Sequence, residues 1–147
     1  MDTIDLKNPT LYINRELSLL EFNRRVIEQA KDENLPLLER LRFLCIASTN
    51  LDEFFEIRVA GLKQQVKYGS TQTGPDNLSP TEVLTRVSET AHQFVEEQYS
   101  VWNDLIIPAM AKDNIRLLRR SQWKSQTSRW IHRYFKDEVL PVLSPIG

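Results

Sequence analysis

An all-α fold is predicted: an antiparallel helical bundle of about four helices, followed by an incomplete α/β segment. Three observations lead there. The 147 residues hold only 4 Gly and 7 Pro, too few for the turns of a sandwich of many short strands. Apolar residues recur every three or four positions through most of the chain, the period of an amphipathic helix. Hydroxyl side chains stand three residues ahead of carboxylates just before two of these runs, a helix-start signature.

Met1 to Ser18 reads as an extended lead-in, and the capping box Ser18 to Glu21 predicts the start of a first helix. Leu19, Phe22, Val26, Ile27 and Ala30 form its apolar face, with Arg24, Arg25 and Glu28 solvated. It stops near Lys31 to Asn34. Pro36 suits the first turn of a second helix, whose wide stripe of Leu37, Leu38, Leu41, Leu44, Cys45 and Ala47 predicts burial on more than one side. The run Ala47, Ser48, Thr49, Asn50 ends in three capping types, with the acids Asp52 and Glu53 behind them, and predicts a break or kink. A third helix then runs from Leu51 to Tyr68 on Leu51, Phe55, Val59, Leu62 and Val66, closed by Gly69. Ser70 to Ser79 is a loop of turn formers.

Ser79, Pro80 and Glu82 announce a long fourth helix. Its seam is Leu84, Val87, Ala91, Phe94, Gln98, Val101 and Leu105, and Pro108 is expected to kink or tighten its last turns. Ile115, Leu117 and Leu118 form a short strand candidate, and Ser121 to Asp137 a basic helix. Pro141 to Gly147 carries two prolines and no stop signal, which predicts a chain cut from a longer protein.

Apolar residues make up 41% and charged ones 27% of the sequence, which excludes collagen-like and wholly disordered classes and fits one globular domain, or one plus part of another. The net charge of −1 hides a step: Met1 to Asn114 holds 12 basic and 18 acidic residues, Ile115 to Gly147 holds 7 and 2. Two units are therefore expected to meet near Asn114. The single cysteine, Cys45, rules out an internal disulfide, fits a reducing compartment and is expected to be a small buried residue. No signal peptide or membrane span is legible.

Catalytic and metal motifs are absent. Gly61, Gly69, Gly74 and Gly147 are too far apart to cradle a phosphate, and His92 and His132 have no Cys or second His at ligand spacing. No catalytic and no metal-ligating residue is therefore assigned. Arg116 to Lys136 has seven basic residues, no acid and the rings Trp123, Trp130, His132, Tyr134 and Phe135. A polyanion-facing surface competes there with a plain solvated face whose Trp130, Ile131, Tyr134 and Phe135 fill a core. In STNLDEFF, Thr49 and Asn50 would stand at a helix mouth that favours anions. Capping by Asn50 and contact with a nucleotide both remain open on the residues alone. Asp52 and Glu53 read as first-turn acids, and an acid/base dyad is excluded because adjacent helix positions do not face each other.

The tracts LYINRELSLLEFNRRVIEQA and PLLERLRFLCIASTNLDEFFEIRVAGL resemble the N-terminal region of the bacterial polyphosphate kinase family. The likeness is specific from Leu11 to Leu62 and looser beyond, where IRLL and WIHRYFKDEVLPVLSPIG resemble the start of that family's head domain. The resemblance implies residues 1–111 as the N-terminal helical domain and 112–147 as the truncated beginning of the head domain. It implies that the full-length protein, a phosphotransferase, moves the terminal phosphate of ATP reversibly onto polyphosphate through a phosphohistidine, with Mg2+. The metal ligands and phosphorylated histidines would lie outside this chain, so the fragment alone is expected to be inactive. The family's S-x-N-L-D-E-F asparagine falls on Asn50, which is thereby implied to bind ATP on its adenine side. Implied partners are ATP, ADP and polyphosphate, in a cytoplasmic homo-oligomer, with membrane association left open and no nucleic acid. The rivals are a helical nucleic-acid-binding module built on Arg116 to Lys136 and a ligand-free docking unit.

Overall fold

The computed structural model describes residues 5–144; the first four residues of the lead-in and the last three of the tail lie outside them. The fold is all-α, and no strand forms among the described residues. Two compact units divide the chain, Met1–Asp113 and Asn114–Gly147.

In the first unit, α1 spans Arg15–Lys31, three residues ahead of the Ser18 start expected from the capping box. Asn14 displaces that cap: its side-chain oxygen accepts from the N–H groups of Glu16 and Leu17, both at 3.1 Å, so Ser18 lies inside the helix. The buried face also turns by one position, to Leu20, Asn23, Ile27 and Ala30, leaving Leu19 and Phe22 exposed. The stripe is centred on an asparagine, which apolar periodicity does not count.

Two further elements, α2 (Leu37–Phe54) and α3 (Ala60–Lys67), form one continuous rod with a π turn, Phe55–Val59, between them. The break expected at Thr49 and Asn50 does not occur. Both side chains are satisfied without leaving the helix: the Thr49 hydroxyl donates back to the Cys45 carbonyl at 3.2 Å, and Asn50 reaches across to α1. Capping types interrupt a helix when their bonds are better made outside it, and here they are not. The irregularity comes instead at the π turn, where an extra residue resets the face. The buried positions run Leu51, Phe54, Val59, Leu62, with a step of five across the turn. Phe55, expected inside, is 42% exposed. Only one side of α2 is buried, and Leu38, Ile46 and Cys45 are exposed. The expectation of a buried cysteine thus fails, because Leu44, Ala47 and Leu51 set the inward face.

Gly69 (φ 68°) ends the rod in a left-handed cap, with its N–H on the Val66 carbonyl and that of Ser70 on the Gln65 carbonyl. The capping box at Ser79 then opens α4 (Pro80–Ser100) as expected. A second π turn, Val101–Ile106, leads into α5 (Ile107–Lys112). Pro108 therefore widens the chain upstream of it rather than tightening it. It has no N–H for the Asp104 carbonyl and its ring crowds that group, and a π turn opens the ladder there. The seam keeps Val87, Ala91, Phe94 and Val101 but steps five to Ile106, leaving Leu105 exposed.

Hydrogen bonds and ion pairs fix how the rods lie. Arg40, near the start of α2 and only 8% exposed, donates from Nε to the Ala30 carbonyl at 2.9 Å, capping the negative end of α1 and holding α2 antiparallel to it. Asn14 donates to Asp76 at 2.7 Å beside the start of α4, and Glu97 near its end takes both Lys31 and Arg24, the latter at 3.2 Å. Hence α1 and α4 run parallel. Small and apolar residues fill the space between the rods, among them Ile27, Ala30, Ala47, Phe94 and Ile106.

In the second unit, Ile115 to Arg119 is irregular rather than a strand, and α6 (Ser125–Tyr134) continues through a π turn, Phe135–Val139. The expectation that Trp130, Tyr134 and Phe135 fill a core is not met among the described residues: all three are exposed, with Trp130 stacked on Tyr134 at 5.3 Å. A stripe on one ten-residue helix has too little chain around it in this unit to be covered.

The register shift at the second π turn is testable by denaturant unfolding. Ile106→Ala should cost about 2–5 kcal/mol, as for a filled core position, and Leu105→Ala about 1 kcal/mol or less. The charges give a pH signature. Burial works against Lys31, but Glu28 and Glu97 outweigh it and raise its pKa above the ordinary 10.5. Its contribution is whole below pH 10.5 and is lost as pH rises through the raised value. The Ser79 hydroxyl, then the Ser79 N–H, hold the Glu82 carboxyl below its ordinary 4.5, so that contribution is present above pH 4.5 and lost as pH falls through the lowered value. Lys31→Met should flatten the alkaline side of the stability profile and Glu82→Gln the acid side.

Candidate nucleotide-facing cleft

Where α1 and α2 cross, Ala47 is wholly buried, and the small side chain lets the helix backbones approach. Asn23, 4% exposed, takes advantage of this approach: its Nδ2 donates to the Ala47 carbonyl at 2.8 Å. A buried amide left without partners would cost about 1–3 kcal/mol, so the bond specifies how the helices meet. The Asn23 Oδ1 accepts from Asn50 Nδ2 at 3.1 Å. Asn50 is half-buried, and its Oδ1 accepts no hydrogen bond among the described residues.

A cleft of about 270 Å³ opens beside this relay. Leu19, Leu20, Phe22 and Asn23 of α1 form one wall, Asn50, Glu53 and Phe54 of α2 the other, and the π turn adds Ile57 and Arg58. The volume falls just short of the roughly 300–1,000 Å³ of complete small-molecule sites. Its lining is mostly apolar with a few polar groups, as such sites are. Phe22 is 53% and Ile57 60% exposed, apolar surface on which a flat ring can lie. Arg58 has no carboxylate within ion-pairing distance among the described residues. The π turn produces this layout, since the extra residue places Ile57 and Arg58 at the cleft while Val59 stays in the core.

Asn50 thus lines a cleft, as a nucleotide contact must, but on the flank of an unbroken helix. The free N–H groups and dipole of a helix mouth are absent there, and the anion-site argument for Thr49 and Asn50 fails with the break. Asn23, Glu53, Ile57 and Arg58 were not singled out from the sequence as a site. The one available signal was Asn23 at the centre of the stripe Leu20, Ile27, Ala30. His92 is exposed, with Nδ1 2.7 Å from the Ser88 carbonyl, and His132 is exposed too. No group of three His, Cys, Asp or Glu among the described residues is placed to hold a metal. No described helix is long and apolar enough to cross a membrane.

Residues 12–118 match the family described as the polyphosphate kinase N-terminal domain. The chain is 54% identical over 142 residues to a polyphosphate kinase of Pseudomonas putida, covering 97% of this chain and 20% of the relative. It is 48% identical over 133 residues to that of Neisseria gonorrhoeae, covering 90% and 19%. The crystal structure of polyphosphate kinase from Porphyromonas gingivalis superposes with a TM-score of 0.72 at 30% identity, over 91% of this chain and 19% of that one. The chain therefore spans about a fifth of the length of the curated relatives it matches. On these matches and on its helical fold, the chain belongs to the polyphosphate kinase family, in that family's N-terminal domain.

Proposed function

We propose that this chain supplies the adenine side of the ATP site in an enzyme that moves the terminal phosphate of ATP reversibly onto polyphosphate through a phosphohistidine. Residues 1–111 act as the helical domain and 112–147 as the beginning of a head domain. The observation that carries the reading is the half-buried carboxamide of Asn50, held by Asn23 in a mostly apolar cleft that is too small to enclose a whole nucleotide. Asn50 hydrogen-bonds the edge of the base. Phe22, Ile57 and Leu19 shield its faces from water, and the charge of Arg58 favours an anionic ligand.

The phosphohistidine and the magnesium ligands belong to the rest of the longer protein. The magnesium supplies charge neutralisation on the phosphates there, and no residue of this chain takes part in the transfer. The working form is a cytoplasmic homo-oligomer with ATP, ADP and polyphosphate as its ligands.

In the full-length enzyme, Asn50→Ala removes one neutral hydrogen bond of about 0.5–1.5 kcal/mol. The KM for ATP should rise about twofold to tenfold, with helix content by circular dichroism unchanged because alanine suits a helix interior. An unaltered KM returns Asn50 to a structural role. The purified 147-residue chain, given ATP and magnesium, should form no polyphosphate; turnover by it would place the chemistry within these residues.

A further inference from the structure

We infer that the basic face of α6, made by Arg129, Arg133 and Lys136, is a binding surface for the linear polyphosphate chain. The inference rests on the phosphotransferase reading above and deepens it by naming residues of this chain that hold the polymer.

From Arg116 to Lys136 there are seven basic residues and no acid, and all seven basic side chains are exposed. In the first unit Arg24, Lys31 and Arg42 each sit on a carboxylate. None of the seven does so among the described residues, although the acids Asp137 and Glu138 follow directly in the π turn. Charge of one sign without internal partners raises the local potential and draws an anion. The helical repeat then orders part of this charge. Arg129, Arg133 and Lys136 recur at steps of four and three, so they share one face. At 1.5 Å of rise per residue they span about 10 Å along the axis, a line of cations suited to a chain of phosphates. The Arg129 Nε is turned back to the Ser125 carbonyl at 3.4 Å, which leaves its terminal nitrogens for a ligand.

The rings of α6 indicate which polyanion fits. Trp130, Ile131 and Tyr134 belong to the other side of the helix, and Trp130 stacks on Tyr134 at 5.3 Å. Single-stranded nucleic acid is held by stacking its bases on rings while cations track its backbone along the same groove. A strand lying on Arg129, Arg133 and Lys136 has no such ring beneath its bases. Polyphosphate has phosphates alone, and a cationic face is all that it needs.

The test uses the full-length enzyme and measures the KM for long-chain polyphosphate in the ATP-forming direction, at saturating ADP, over a range of salt. The triple variant Arg129→Gln, Arg133→Gln, Lys136→Gln keeps good helix formers on an exposed face. At roughly 0.7 per phosphate contact on a single-stranded polyanion, it should lower the slope of log KM against log salt by about 2 and raise the KM about tenfold or more at low salt. The kcat and the KM for ADP should not change. Arg129→Lys with Arg133→Lys keeps the charge and should keep both the slope and the KM.

An unchanged KM and slope in the folded triple variant overturn the inference, as does their loss in the folded lysine variant. If the triple variant does not fold, Arg133→Gln alone decides: a slope lower by about 0.7 sustains the inference, and an unchanged one overturns it. Loss of single-stranded DNA binding in the triple variant, with the KM for polyphosphate intact, gives the face to nucleic acid and also overturns it. If the unaltered enzyme neither forms nor consumes polyphosphate, the phosphotransferase reading has failed and this inference with it. If it does both and the triple variant is unaffected, only the surface claim has failed.

Discussion

A buried amide that must reach a backbone carbonyl governs how α1 meets α2, and with it the shape of everything around the crossing. Asn23 has lost its water, and its NH2 is satisfied at Ala47. Hydrophobic burial alone would tolerate small slides of one helix on another, because apolar contact has no direction. A hydrogen bond 2.8 Å long does not. Arg40 fixes the other end of the same pair by closing the C-terminus of α1 through the Ala30 carbonyl. Between these two points the crossing has one register, and the cleft beside it inherits that register.

The two π turns carry the same theme into the longer rods. A regular helix that buries Leu51 would bring Phe55 and then Leu62 inward at even steps. The extra residue at Phe55–Val59 lets Phe54 and Val59 serve the core instead and leaves Ile57 and Arg58 for the cleft. At Val101–Ile106 the same device accommodates Pro108 and still buries Ile106. In both cases the core is conserved at the expense of local helix geometry, since an apolar side chain kept inside is worth more than one well-aligned ladder bond.

These features explain what could and could not be read from residues alone. The all-α class, the long α4, the box at Ser79 and the Gly69 stop were legible because each depends on neighbours within one helical turn. The start of α1 was misread by three residues because two capping residues compete and only the folded chain shows that Asn14 wins. Thr49 and Asn50 looked like a break because their bonding needs are visible in sequence, whereas the partners that meet those needs inside a helix, Cys45 and Asn23, are not. A π turn has no periodic signature before the fact, so Phe55 and Leu105 were put inside and Phe54 and Ile106 overlooked. The cleft was legible only at Asn50, and there through resemblance to a family motif; Asn23 acts across a tertiary contact 27 residues away.

The central claim is that the Asn50 carboxamide, oriented from α1, meets the base of ATP. The most direct measurement is a structure of the full-length enzyme with a non-hydrolysable ATP analogue. The account predicts the adenine lying in the cleft between α1 and α2, an edge nitrogen of the base about 2.7–3.2 Å from the Asn50 carboxamide and the Asn23 bonds intact. A base bound elsewhere, with this cleft open to water, would contradict it.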